Sequence, residues 1–289
     1  MTSNTPRSII AFRLANQPKE RNENKNVIID DISQGAERFP VPVVLDRNVQ
    51  LNINIFRTFL YSSRIIDRTG YAFNHDETTT FTCRCDDHCG ETCECSNGIY
   101  TNGGRVTDME EMMSQVVREC TWACSCALWC GNRVAQKGSF YPIEIFGRDV
   151  RCGWGVRTVS DVPSHSFLGE YTGELIDDDE VTRREDSTFL FETRVGKLPL
   201  TIDAKFTGNY TRFVNHSCEP NCKVANVSWD YTEDPLVHMC LFAINDIKKG
   251  TELTIDYGDG WWTNKNFPCA CRTASCRFSR KAISPADSL

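Results

Sequence analysis

Residues 83–95 read CRCDDHCGETCEC, and residues 120–130 read CTWACSCALWC. These two stretches carry nine of the sixteen cysteines in the chain: Cys83, Cys85, Cys89, Cys93 and Cys95, then Cys120, Cys124, Cys126 and Cys130. A secreted disulfide scaffold would pair its cysteines, but nine is odd. The opening stretch, MTSNTPRSIIAFRLANQ, also lacks the apolar core of an export signal. A soluble, intracellular protein is expected, and clustered thiols in a reducing compartment read as metal ligands. Zinc takes four ligands in a tetrahedron. Nine thiolates do not divide by four, but six terminal and three bridging sulfurs close a three-zinc cluster with none left over. His88, inside the first stretch, is then not needed as a ligand and reads as a loop or supporting residue.

Outward from this cluster the chain changes character. Residues 1–29 are polar and read as a flexible arm; 30–80 hold short apolar stretches (VPVVLD, LNINIF) that read as extended segments wrapping a neighbour. Residues 81–138 are too rich in loops to be stable without the metal crosslinks. From 141 to 258 short β-branched or alternating runs (YPIEIFG, GWGVRTV, VHMCLFAI, ELTIDYG) are punctuated by Gly, Pro, Asn and Asp, which predicts a mostly-β domain. DDDEVTRRE is the helix candidate there, its acids at the start as the helix dipole prefers. A further trio, Cys269, Cys271 and Cys276, lies within residues 265–281 and lacks a fourth ligand, for which Cys218 in FVNHSCEPNC is the choice. Cys152, Cys222 and Cys240 are left as small buried hydrophobes. The 289 residues carry 32 Lys and Arg against 39 Asp and Glu, a formal charge of −7. Strong direct binding to nucleic acid through a global positive field is therefore not expected, and no apolar run suits a membrane span. Thirteen zinc-bound thiolates would make the loaded protein more acidic still, which favours a basic substrate.

Four further fragments occur in a telling order: Gly153-Trp154-Gly155-Val156-Arg157, Gly169-Glu170-Tyr171-Thr172-Gly173-Glu174, Asn209 to Cys218 (NYTRFVNHSC), and Glu252 to Gly258 (ELTIDYG). Together they resemble the SET-domain lysine methyltransferases. The nine-cysteine group resembles their pre-SET module and the C-terminal trio their post-SET module. The combination is similar to the suppressor-of-variegation and euchromatic class, which methylates lysine nine of histone H3. The resemblance implies a β-rich SET fold in which the NHSC and DYG segments cross as a pseudoknot. It also implies methyl transfer from S-adenosylmethionine to a lysine ε-amine, on the histone H3 tail, in the nucleus and on chromatin. Four Zn2+ are implied, three in the pre-SET cluster and one at the post-SET site.

By the same resemblance Tyr257 and Tyr171 are the catalytic-channel tyrosines. A free lysine has a pKa near ~10.4, so the amine must be deprotonated and aimed, and the two tyrosines suit aiming better than proton abstraction. Gly153, Trp154, Asn215 and His216 match the cofactor site, with Arg212 bracing it, and Phe189 stands where relatives often carry Tyr. Trp261 or Trp262 falls where the family places an aromatic, and Trp261 is favoured. Ile255 replaces a Phe or Tyr that limits the number of methyl groups, so di- or trimethylation is expected. Residues 174–192 hold eight acids against two bases, and Asp178, Glu185, Asp186 and Glu192 are the candidates to meet the arginine beside the target lysine. The competing readings are a zinc-organised histone-tail binding protein and a methyltransferase for a non-histone lysine. No residue identifies a targeting partner.

Overall fold

The computed structural model describes residues 25–279 apart from 47, 73–81, 91–92, 97, 102, 231–234, 264 and 266. It is mostly β. Three four-stranded sheets surround the site. In the first, Val43–Asp46 lies parallel to Ile143–Asp149, which pairs antiparallel with Gly153–Thr158. The second orders Leu190–Val195, Leu198–Asp203, Glu174–Ile176 and Ile66–Asp67. In the third, His238–Ala243 is buried at every position and lies between Cys222–Ser228 and Phe167–Glu170, both antiparallel to it. From Met239 to Ala243 the strand is apolar on both faces, as a central strand needs.

Much of residues 43–67 is spent on edges of this core. Val43–Asp46 joins the first sheet, Leu60–Tyr61 pairs in parallel with Thr207–Gly208, and Ile66–Asp67 pairs in parallel with Glu174–Ile176. Of the expected arm, residues 1–24 lie outside the described residues, while Lys25–Ile29 forms a strand against Val43–Asp46. Its consecutive Val27, Ile28 and Ile29 favour extended backbone.

The helix read from DDDEVTRRE is Asp178–Arg183; Asp177 caps it by accepting the Glu180 N–H at 2.9 Å, and three acids fill its first turn. Two apolar cores meet at the site. One holds Trp154, Phe213, Val214 and Ile255, the other Tyr171, Leu175, Ile202 and Met239; Phe191 and Val224 pack against both. Cys222 is fully buried in the first of these cores and Cys240 in a separate cluster with Phe167 and Phe242, as small hydrophobes would be, and Cys152 is half-buried.

Candidate active site and metal centres

Two segments cross to make the floor of the site. Asn215–His216 pairs in parallel with Thr254–Ile255, and the Ser217 N–H donates to the Ile255 carbonyl at 2.9 Å. A ladder this short would not hold alone. Asn221 locks it, accepting the Thr254 N–H at 2.9 Å and donating to the Glu252 carbonyl at 2.8 Å. This is the crossing expected of the NHSC and DYG segments. The role of Asn221 was not read from the sequence; its only signal was its place three residues beyond Cys218.

The crossing sets Tyr257. Its hydroxyl donates to the Val214 carbonyl at 2.7 Å, and its backbone N–H donates to Nδ1 of His216 at 3.1 Å. From the other core, Tyr171 is held by its N–H on the Met239 carbonyl and by its hydroxyl on the Phe189 carbonyl at 2.8 Å. Its ring lies 5.2 Å from that of Phe191 in the seam between the cores. Burial pushes both phenols well above the ordinary tyrosine range, and for Tyr171 the neighbouring Tyr257 adds to the rise. Both are neutral at pH 7. Each hydroxyl spends its one proton on a backbone carbonyl, so its oxygen faces any partner as an acceptor.

Gly153 lies at φ +69°, and a Cβ there would meet nothing within 4 Å, so the backbone borders open space. At Gly155 the reverse holds: a Cβ would stand 2.8 Å from Glu252 Oε1, 2.9 Å from Phe146 and 3.1 Å from Asn215 Nδ2. Glycine lets Asn215 reach the Trp154 carbonyl (3.1 Å) and Glu252 (2.9 Å), while Glu252 also meets Arg148 at 3.2 Å. Glu252 was likewise given no role at the level of sequence, although it opens the fourth fragment.

His216 is nine-tenths buried, and both ring nitrogens face protein: Nδ1 takes the Tyr257 N–H, and Nε2 lies 3.3 Å from Cys218 Sγ. Desolvation lowers its pKa, consistent with a neutral ring. Arg212 is similarly engaged. It donates to the Ala204 and Lys205 carbonyls, and its guanidinium lies 4.1 Å from the Phe189 ring and 4.5 Å from Phe213. Burial lowers its pKa to about 10, which leaves it a cation at pH 7. Trp261 stands edge-on to Tyr257 at 4.9 Å. Trp262 packs behind it, between His216 and a stacked Phe278, with its indole N–H buried and without a partner among the described residues. Ile255 is buried in the first core. Asp178, Glu185 and Glu192 are exposed, whereas Asp186 is held by the Thr188 N–H at 2.9 Å and by Lys205 at 3.8 Å.

No disulfide forms among the sixteen cysteines. Twelve of the thirteen expected sulfurs gather into four-membered groups whose ligand atoms lie within 4.8 Å of one another: Cys83, Cys85, Cys89 and Cys93; Cys83, Cys89, Cys120 and Cys126; Cys83, Cys95, Cys120 and Cys124; and separately Cys218, Cys269, Cys271 and Cys276; Cys130 falls in none of these groups. The fourth group joins the C-terminal trio to Cys218. Sulfur separations of 3.5 Å (Cys83–Cys89) and 3.7 Å (Cys95–Cys124) are near the ~3.8 Å that two thiolates keep on one tetrahedral zinc, and Cys89–Cys120, at 3.2 Å, is closer still. N–H groups aim at these sulfurs as they do at bound thiolates: Cys83 N on Cys124, Cys89 N on Cys130 and Asn132 Nδ2 on Cys120, each at 3.4 Å. The donor sets fit zinc. His88 is exposed and outside every group.

Comparison with known proteins agrees with this geometry. A Pre-SET motif matches residues 33–133 and a SET domain residues 153–258. Histone-lysine N-methyltransferase EHMT1 of Mus musculus is 34% identical over 263 residues, covering 88% of this chain, and the chain spans 20% of that relative's length. Among solved structures, SUVH6 of Arabidopsis thaliana in complex with SAM superposes with a TM-score of 0.75 at 29% identity, over 92% of this chain and 60% of that one. KRYPTONITE in complex with mCHH DNA, an H3(1-15) peptide and SAH superposes with a TM-score of 0.72 at 27% identity, over 92% of this chain and 56% of that one. From the paired Pre-SET and SET matches and the shared fold, the chain belongs to the SET-domain family, in the branch that carries a Pre-SET module, and it is similar to the histone-lysine methyltransferases of that branch.

Proposed function

We propose that this chain methylates a lysine ε-amine of the histone H3 tail, at lysine nine and to the di- or trimethyl state, using S-adenosylmethionine, in the nucleus and on chromatin. The observation that carries the reading is the pair of neutral tyrosine hydroxyls, Tyr171 and Tyr257, brought from separate cores to one apolar seam beside the open space at Gly153. The names of the relatives and the H3 peptide bound by KRYPTONITE support the substrate class.

S-adenosylmethionine, when bound, supplies an electrophilic methyl on a sulfonium sulfur. Gly153, Trp154 and Asn215 would hold it. Trp261 stands beside Tyr257 with Trp262 packed behind it, and Phe189 and Arg212 brace each other. Because both nitrogens of His216 face protein, any contact it makes with the cofactor is through its backbone. Tyr171 and Tyr257 accept from the lysine amine and aim its lone pair, and the apolar seam disfavours the ammonium form, so that the amine enters neutral. Ile255 cannot donate a hydrogen bond to a bound water, which leaves room for a second and third methyl group.

The pre-SET module is assigned to 81–138, the SET domain to 141–258 and the post-SET module to 265–281. In the first, Cys83, Cys89 and Cys120 recur among the sulfur groups and are the bridging thiolates. Terminal pairs are then Cys85 with Cys93, Cys95 with Cys124, and Cys126 with Cys130, which accounts for three Zn2+. The fourth sits on Cys218, Cys269, Cys271 and Cys276. Targeting relies on partners rather than on strong direct DNA binding, given the formal charge of −7.

The test is mass spectrometry of an H3 tail peptide incubated with zinc-loaded protein and S-adenosylmethionine, beside the same peptide blocked at lysine nine. Two or three methyl groups on the unblocked peptide alone are expected. Equal methylation of both moves the site, a single methyl overturns the Ile255 reading, and no methylation with cofactor still bound favours a binding protein.

A further inference from the structure

Away from the channel, the second cysteine stretch presents unusually large apolar side chains to solvent. Trp122 is 72% exposed, Leu128 77% and Trp129 66%, although all three lie within a loop fixed at both ends by cysteines. The loop cannot fold these side chains under, because its backbone is pinned by Ser125 N–H on the Cys83 carbonyl and Ala127 N–H on the Asp87 carbonyl, each at 3.1 Å. Beside Trp129 opens a cavity of about 190 Å3, with Phe140 and Phe167 among its apolar walls.

Its charge runs against that of the whole protein. Arg105, Arg133 and Lys137 line the cavity and, among the described residues, no Asp or Glu does, in a chain of formal charge −7. Arg133 faces inward, 3.6 Å from Cys126 Sγ. Lys137 reaches the rim with its ammonium on the Cys130 carbonyl at 2.9 Å, and Arg38 lies 3.9 Å over the exposed Phe140 ring. Arg105 is exposed and makes no ion pair among the described residues. Glu119, an acid near Lys137, is fully buried and spends its oxygens on the Ala135 N–H and on Gln136.

An apolar slot with a cationic rim selects a ligand that is apolar at one point and anionic around it. We infer that this face docks an acidic peptide segment of a partner protein, which inserts one bulky apolar side chain between Trp129 and Phe140 and meets Arg105, Lys137 and Arg38 with carboxylates. A rigid aromatic anchor in a pocket supplies most of the affinity in such contacts, and rim charges set encounter rate and salt dependence. The surface is separate from the methyl-transfer channel, so it recruits a partner without competing with substrate.

The test pans a displayed library of random twelve-residue peptides on the zinc-loaded full chain and measures synthetic versions of the selected sequences by fluorescence anisotropy. Expected are sequences with an aromatic residue or Leu flanked by Asp and Glu. Binding should weaken about tenfold or more in Trp129→Ala and in Arg105→Glu, and on raising salt from about 50 to 300 mM. Both variants should keep their zinc content and H3 methylation. If Trp129→Ala does not fold, Arg105→Glu carries the test, because the Arg105 side chain is exposed. Failure to select any peptide, selection without acidic residues, or affinity unchanged in Arg105→Glu overturns the proposal. So does competition at this face by duplex DNA, or self-association that Trp129→Ala abolishes.

Discussion

The backbone N–H of Tyr257 donates to Nδ1 of His216 at 3.1 Å, and Nε2 of the same ring lies 3.3 Å from Cys218 Sγ. One imidazole thus ties the channel tyrosine to a sulfur of the C-terminal cysteine group. With Nδ1 accepting, the ring proton sits on Nε2 and points at sulfur. His216→Ala removes both links. It is expected to lower kcat on H3 peptide by about 10- to 100-fold and to weaken zinc at the Cys218 site to a similar degree, the usual loss when a ligand's supporting residue is removed. Chelator competition reads the zinc and steady-state kinetics the turnover. A change in peptide KM alone would mean that His216 positions neither.

The hydroxyls of Tyr257 and Tyr171 can be separated from their rings. Tyr257→Phe keeps the edge-on contact with Trp261 and loses only the oxygen. An expected fall in kcat of about 100-fold, with peptide KM nearly unchanged, is the signature of a group that acts on the reacting atoms. Each substitution also breaks a hydrogen bond to a backbone carbonyl, Tyr257 to Val214 and Tyr171 to Phe189. Each should therefore lower stability by about 1 kcal/mol as well as kcat. A Tyr257→Phe protein with full turnover would remove Tyr257 from the chemistry.

How far the sequence could be read depended on whether the information was local. The cysteine spacings are local, and zinc's demand for four ligands turned them into a cluster before any fold was known. The helix over Asp178–Arg183 was legible from its capping acids for the same reason. The crossing of the NHSC and DYG segments was reached only through resemblance, since Asn215–His216 and Thr254–Ile255 are two-residue ladders too short for any periodicity. Asn221 and Phe278 escaped notice because each acts on a residue distant in sequence, Thr254 and Trp262. Likewise, nothing in 43–67 says which sheet edges its short strands will find, because strand pairing is decided by the partner surface.

The sharing of Cys83, Cys89 and Cys120 among sulfur groups separates bridging from terminal ligands by experiment. Removing a bridging sulfur opens two tetrahedra, removing a terminal one opens one. Cys89→Ser is expected to cost more than one zinc per chain by elemental analysis, and Cys93→Ser no more than one. Equal losses from the two variants would contradict the bridging assignment.

The acidic stretch divides by the state of its side chains. Asp178 and Glu185 are exposed and make no ion pair among the described residues, while Asp186 is committed to Thr188 and Lys205. Exposed ion pairs contribute about 0.2–1 kcal/mol each. Replacing Asp178 and Glu185 together by Ala should therefore raise the KM for H3 peptide about threefold to tenfold at unchanged kcat. Asp186→Ala should instead lower the melting temperature, because it releases the turn before Phe189. An unchanged KM in the double variant would assign these acids to a solvated helix face.

A buried ion pair beside Tyr171 gives the fold a pH dependence. His238 Nδ1 lies 2.6 Å from Glu170 Oε1 and Nε2 lies 3.9 Å from Asp230, while Trp229 stacks on the ring at 3.5 Å. Burial alone would depress the pKa of this histidine, but the two carboxylates outweigh it and raise it to about 9. The folded protein therefore holds the proton more tightly than the unfolded chain, whose histidine titrates near ~6.5. This contribution is complete below about pH 6.5 and is lost as pH rises through about 9. The pair links Phe167–Glu170 to His238–Ala243, the two strands that set the Tyr171 backbone. The melting temperature is therefore expected to fall between pH 6.5 and 9 by several degrees more in the native sequence than in His238→Gln, which cannot carry the charge. Parallel curves for the two proteins would mean that His238 is neutral in the fold, and that the 2.6 Å contact with Glu170 is a neutral hydrogen bond rather than an ion pair.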